Sequence, residues 1–266
     1  MSIFSPKAKQ ALNDIFEGVT RWELWFNLGL HDIRQRYRRS TVGPFWLTIS
    51  MAMMVLGIGY LYSGIFGQKL EDYLPYIATG LIVFSLISSV VQESSTVFIQ
   101  SAATILQIKA PLSVYVYQML WRNFLVFFHN IVIYVFFVIF LLVNPGWAIL
   151  FSFLGLMLIW LNGIWIGIIL GGISARFRDV PPIAASIMQI MFFLTPIFWR
   201  VDQLHDRELL VQLNPFYYLL EVVRMPLLGV IPAPHVWLIA VGINAVSALA
   251  AVWFYSRYRS RITYWL

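Results

Sequence analysis

Apolar residues in this chain come in long runs separated by short polar or basic stretches. From Phe45 to Phe66 no residue is charged, and a run of about 20 apolar residues crosses the hydrocarbon of a bilayer as a helix. Five further, largely apolar runs follow near Leu74–Val91, Leu120–Val143, Ala148–Ile173, Ile183–Trp199 and Val236–Phe254. The pattern predicts an all-α polytopic membrane protein with six transmembrane helices. The fifth run is short and holds Pro196, which would remove a hydrogen bond and bend a helix continuing through it. Ahead of the first run, Ser5 and Pro6 read as the cap and first residue of a helix. Ile15, Val19, Trp22 and Phe26 then recur at helical spacing, while Asp14, Glu17, Arg21 and Glu23 fill the other positions. This predicts an amphipathic helix, either in the headgroup plane with Trp22, Trp25 and Phe26 dipping inward or docked on soluble protein.

Three stretches are unsuited to crossing. Gln92–Pro111 carries too many polar groups and reads as a helix of several turns, with Phe98, Ile105 and Ile108 partly on one side. Ser174–Pro182 is a shorter turn. Arg200–His235 separates the last two runs. Within it, Phe216–Val230 is apolar but too short to span, which suits a re-entrant or interfacial helix. Glu221 and Arg224 stand three apart there and can pair on one helix face.

Composition agrees with the pattern. The chain has 266 residues, 60% hydrophobic and 11% charged, where a soluble domain carries about 25% charge. The net charge of +6 sits at span edges, so it reads as a topology signal. Lys7, Lys9, Arg21, Arg34, Arg36, Arg38, Arg39, Lys109, Arg122, Arg176, Arg178, Arg257, Arg259 and Arg261 fall on one side of the six-span layout. Only Lys69, Arg200, Arg207 and Arg224 fall on the other. Basic flanks stay in the cytoplasm, so both termini are expected there and Arg200–His235 outside. There is no cysteine, which rules out disulfides and thiolate metal sites. Residues 1–27 lack the short apolar core and small-residue cleavage site of a signal peptide.

Candidate chemistry is sparse. Gly163, Gly167 and Gly171 recur every fourth residue, the spacing that lets membrane helices approach closely. They serve either a neighbouring helix of the same subunit or an interface between subunits. Arg122 and His129 lie within the third run, and an ionisable group there is a functional candidate. Arg122 is also near enough to the edge to snorkel, and His129 can be neutral and hydrogen-bonded in the bundle. Phe45, Trp46, Tyr60, Tyr62, Phe192, Phe193, Phe198 and Trp199 crowd the first and fifth runs. They act either as anchors and packing or as flat faces along which a sugar chain slides. No glycine-rich loop leads to a lysine as in a Walker A motif, and no clustered carboxylate and histidine set offers a metal site. An enzyme of lipid-linked sugar metabolism, or an ATP-independent channel, would fit the hydropathy but finds no supporting motif.

The junction ahead of the first run reads Arg34-Gln35-Arg36-Tyr37-Arg38-Arg39-Ser40-Thr41-Val42-Gly43-Pro44-Phe45-Trp46. This pattern, and the order of elements over essentially the whole chain, resembles the membrane subunits of ABC-2 type exporters, among them the permeases for O-antigen and other surface polysaccharides. The resemblance implies a single ABC-2 domain over residues 1–266. Residues 1–42 would form its interfacial helix and basic junction, 43–256 the six-helix part and 257–266 a cytoplasmic tail. It implies a homodimer in the bacterial inner membrane, joined by two copies of a separate ATPase that binds the ATP and Mg, with no cofactor in this chain. The substrate would be a polyprenyl-pyrophosphate-linked O-antigen; capsular polysaccharide and teichoic acid are neighbouring possibilities. By the same resemblance Phe98, Ile105, Ile108, Lys109, Arg176, Arg178 and Asp179 would meet the ATPase. Glu221 and Arg224 would sit in an outer re-entrant segment, and Arg34, Arg36, Arg38 and Arg39 would attract the pyrophosphate.

Overall fold

A computed structural model of the protein describes residues 6–38, 42–43, 45–140, 143–203 and 208–266. Ser5, Arg39, Pro44, Asp206 and Arg207 lie outside the described residues. Helices account for about 85% of the described chain, which contains no strand. Five helices are long and apolar enough to cross a membrane: α3 (Phe45–Ile65), α4 (Leu70–Ser94), α7 (Ser113–Phe140), α8 (Ile149–Arg176, entered by a 3-10 turn at Gly146–Ala148) and α12 (Pro234–Trp265). Before them stand α1 (Pro6–Thr20) and α2 (Trp22–Tyr37). Between α4 and α7 lie two short helices, α5 (Val97–Gln100) and α6 (Ala102–Gln107). Between α8 and α12 come α9 (Val180–Leu194), α10 (Glu208–Gln212) and α11 (Pro215–Leu227).

The bundle is built around α4, which packs on α3, α7, α8, α9 and α11. Of its most apolar stretch 72% is buried within the subunit, against 11% for α3. An apolar helix with so little cover inside its own subunit must meet lipid or another protein surface. The glycine stripe of α8 resolves to contacts inside the subunit. A side chain at Gly163 would strike Leu120 of α7, one at Gly167 Val116, and one at Gly171 Val97 and Phe98.

Four expectations change. The N-terminal segment is two helices broken at Arg21, and it docks on protein. Ala11 and Ile15 are buried, but so is Asp14, which the spacing had set apart from the apolar positions, whereas Val19 and Trp22 are exposed. Gly18 and Gly29 allow the approach, facing Ser113 and Trp121 of α7. Second, Pro196 does not kink the fifth run. It ends the helix, because the residue before a proline is pushed out of the helical region, and Thr195 is extended (φ −91°, ψ 136°). Third, Gln92–Pro111 is not one helix: α4 continues to Ser94, then α5 and α6 break at Ser101. Phe98 turns fully inward while Ile108 stays exposed. Fourth, Arg122 does not snorkel. It is held by Asp32 of α2 and Glu93 of α4, each at 2.8 Å. The last helix also runs eleven residues beyond Phe254, so residues 257–265 continue α12.

The segment between α8 and α12 behaves differently from a surface loop. Asn214 caps α11, its side chain accepting from the Phe216 N–H at 3.0 Å, with Pro215 at the first helical position. Nine residues of this thirteen-residue helix are buried, among α4, α8 and α12. Gly155 of α8 lies so close to the Val222 carbonyl that no side chain fits there.

Candidate functional site

Two adjoining features make up the site, both built on α4. The first is a cleft of about 560 Å³ between α3, α4 and α9. Its α4 wall carries Ser85, Ser88, Ser89 and Gln92, and its α9 wall Ser186 and Gln189. These positions repeat at three and four residues, so they share one face of each helix. Two of the hydroxyls are already turned inward to their own helices: Ser85 donates to Ile82 O and Ser186 to Pro182 O. Gln92 donates to Ser88 Oγ at 2.8 Å. The cleft therefore offers neutral hydrogen-bonding groups against a methionine wall, Met51 and Met54, with no charge lining it.

The second feature is a chain of rings that starts at the cleft. Phe84 meets Phe192 at 5.7 Å between centroids, Phe192 meets Phe198 at 5.8 Å, and Phe198 meets Tyr62 at 5.0 Å. Tyr62 continues to Phe66, Phe66 to Tyr73 and Tyr73 to Tyr76. The run ends on two guanidinium groups, Arg224 and Arg200, at 4.4 and 5.0 Å from the Tyr76 ring. It follows the non-helical backbone after α9. A backbone that leaves the helix in an apolar setting must find donors for its carbonyls. Tyr73 donates to Phe198 O, Tyr76 to Trp199 O at 2.9 Å and to Pro196 O, and Arg224 also to Pro196 O. Arg224 pairs in turn with Glu221, both buried, as the spacing of three predicted.

Around this end opens a second, more polar cleft of about 590 Å³, which includes Glu71, Asp72, Arg200, Asp202 and Tyr217. Burial, and then the Glu221 carboxylate, push the Tyr217 hydroxyl up to about 12, so it remains a neutral donor.

Of the eight aromatic candidates, Tyr62, Phe192, Phe193 and Phe198 come together, with Phe193 against both Phe192 and Phe198. Trp199 joins through its ring N–H, which donates to Phe193 O at 3.2 Å. Phe45, Trp46 and Tyr60 do not join; they are exposed on α3, Tyr60 at 75%. The sequence reading missed Phe66, Phe84, Tyr73 and Tyr76, and it missed the serine and glutamine stripe. The stripe had a signal, namely polar residues at helical spacing within an apolar span.

The remaining candidates scatter. Arg34 and Arg36 are exposed on the last turn of α2, and Arg38 is exposed just beyond it. Phe98 is buried, Ile105 half-buried, and Ile108, Lys109, Arg178 and Asp179 exposed. Arg176 stacks against Phe177 and Trp265. His129 bonds through Nδ1 to Leu125 O of its own helix at 2.7 Å.

Comparison with known proteins adds a family and relatives. The profile of the family described as ABC-2 type transporter matches residues 23–228. The O-antigen export system permease protein RfbA of Klebsiella pneumoniae is 22% identical over 189 residues, covering 69% of this chain and 72% of the relative. The protein of the same name from Myxococcus xanthus is 21% identical over 201 residues, covering 74% and 77%.

Proposed function

Because this chain belongs to the ABC-2 type transporter family, a family of membrane transport subunits, we propose that it is the permease of an ATP-driven exporter of lipid-linked O-antigen polysaccharide. The relatives matched across more than two thirds of their length are named as O-antigen export system permeases. The observation that carries the reading is the neutral cleft continuing into the ring chain. A polysaccharide must slide without being gripped, and aromatic faces give contact area with little directional demand. Serine and glutamine side chains exchange hydrogen bonds with sugar hydroxyls at little net cost. The first cleft is lined by no charged residue, so it holds no acid or base of the kind an enzyme of sugar transfer would need.

In this reading α9 and residues 195–200 complete a sixth crossing, and α10 with α11 form a re-entrant pair at the outer mouth. Both termini and the basic residues face the cytoplasm. The exposed α3 meets a second copy across a shared channel. A separate ABC ATPase, binding ATP and Mg, docks on 92–111 and 174–182, and Arg34, Arg36 and Arg38, with Arg39, draw in the pyrophosphate.

The test is purification with candidate ABC ATPases from the same organism, followed by ATP-dependent delivery of polyprenyl-pyrophosphate glycan in proteoliposomes. Ser88→Leu and Gln189→Leu should slow export while leaving assembly intact. Extrusion of a capsular or teichoic polymer in place of O-antigen would revise the substrate. Absence of any ATPase partner would overturn the reading.

A further inference from the structure

The end of α12 reaches both segments to which the proposed function assigns the ATPase. With thirty-two residues, α12 is about 48 Å long at 1.5 Å per residue, well beyond the ~30 Å of hydrocarbon. Its overhang carries Arg257, Arg259 and Arg261, which fixes it at the basic end.

One side of the overhang is fastened to the wholly buried carboxylate of Asp14. Arg259 donates to Asp14 Oδ2 from Nε and Nη2, at 2.8 and 2.6 Å, and Tyr255 donates to Oδ1 at 2.7 Å. The same carboxylate accepts the N–H groups of Leu112 and Ser113 at 3.3 and 3.1 Å. The Ser113 hydroxyl returns a bond to the Asp14 carbonyl. Leu112 and Ser113 close the stretch that holds α5 and α6, and α6 touches α12 directly. The other side of the overhang holds the last turn of α8, from which the 176–180 turn leaves. The Arg176 guanidinium lies 5.2 Å from the Phe177 ring and 5.5 Å from the Trp265 ring. Gly172 makes room for Phe254 and Ile262.

We propose that residues 255–266 are a tie-bar that holds the 95–112 segment and the 176–180 turn at a fixed separation, anchored by Asp14 at one side and Trp265 at the other. The reason lies in stiffness. Helices α5 and α6 have four and six residues, too short to be rigid alone. A load on either segment would dissipate in local bending unless a longer element braced it. The continuous α12 supplies that brace and carries the load to the bundle. Asp14, Arg259 and Trp265 are therefore positioning residues for the coupling of ATP turnover to export, an inference that rests on the proposed ATPase partner.

The cysteine-free chain allows a direct test. Nitroxide labels on Lys109→Cys and Arg178→Cys, both exposed positions, report the separation by pulsed electron resonance in detergent. A narrow distribution is expected, broadening in Asp14→Asn combined with Trp265→Ala. Trp265→Phe should keep it narrow, because a ring still faces Arg176, and Arg257→Ala serves as control. Arg259→Gln, which leaves Asp14 its other donors, repeats the test if Asp14→Asn folds poorly. In unlabelled complexes with the ATPase, the broadened variants should hydrolyse ATP but export about tenfold less glycan per ATP. An unchanged width in the double variant overturns the tie-bar. Broadening with wild-type export per ATP overturns its role in coupling. If no ATPase binds the wild-type chain, the functional reading fails, and the label distances still decide the tie-bar.

Discussion

The guanidinium of Arg224 lies 4.4 Å from the centre of the Tyr76 ring and is fully buried with its carboxylate partner, Glu221, one turn back on α11. It thus binds α11, α4 and the backbone after α9 in a single contact. Breaking a buried pair by removing one partner costs about 3–5 kcal/mol, whereas replacing both by apolar residues costs far less. Arg224→Met should sharply lower the thermal midpoint of the detergent-solubilised protein, and the added Glu221→Leu should recover much of the loss. Equal midpoints for the single and double variants would show that the loss comes from Arg224's contacts with Tyr76 and the Pro196 carbonyl and not from a stranded Glu221 charge.

Tyr60 and Phe192, equivalent in the sequence, have opposite surroundings. Phe192 is half-buried and touches Phe84, Phe193 and Phe198; Phe→Ala in a fully packed site costs about 3–5 kcal/mol, and here the loss should fall below that. Phe192→Ala should reduce the yield of folded protein. Tyr60→Ala removes a ring exposed in the isolated subunit, so its yield and midpoint should stay at wild-type values. Export measured beside yield then isolates any role of Tyr60 at the proposed contact with a second copy.

Glycines of the membrane helices should divide by what faces them. Gly155 abuts the Val222 backbone and Gly167 abuts Val116, whereas Gly57 and Gly242 have nothing within 4 Å. Overpacking costs about 1–3 kcal/mol, most where the neighbour is backbone. Gly155→Ala should destabilise most and Gly167→Ala less. Gly242→Ala should be neutral or stabilising, since alanine favours helix over glycine by about 1 kcal/mol. Chemical or thermal unfolding of the four alanine variants, Gly57→Ala included, gives the order.

Membrane sidedness can be read with single cysteines. Asp202 and Lys109 are both exposed, and they lie at opposite ends of the bundle. In intact cells Asp202→Cys should react with an impermeant maleimide and Lys109→Cys should not. The reverse pattern would invert the topology.

Periodicity and charge alone determined the membrane class, the first span to within a residue, the basic end and the Glu221–Arg224 pair. These depend on neighbours within one or two turns, or on a run's length against the bilayer, so they are written locally. The family was legible in the junction at residues 34–46 for the same reason. Tertiary structure decided the rest. Asp14 sits four residues from Gly18 and would pass for part of a solvated polar face. Only the return of α12, some 240 residues later, supplies Arg259 and Tyr255 to bury it. Pro196 could bend a helix or end it, and it ends α9 because Tyr73, Tyr76 and Arg224 are in place to satisfy the carbonyls thus released. The glycine stripe could have faced another subunit, and it faces α7 and α5 because α4 gathers the helices around itself. In each case local sequence left two low-energy options, and the choice fell to partners brought from distant parts of the chain.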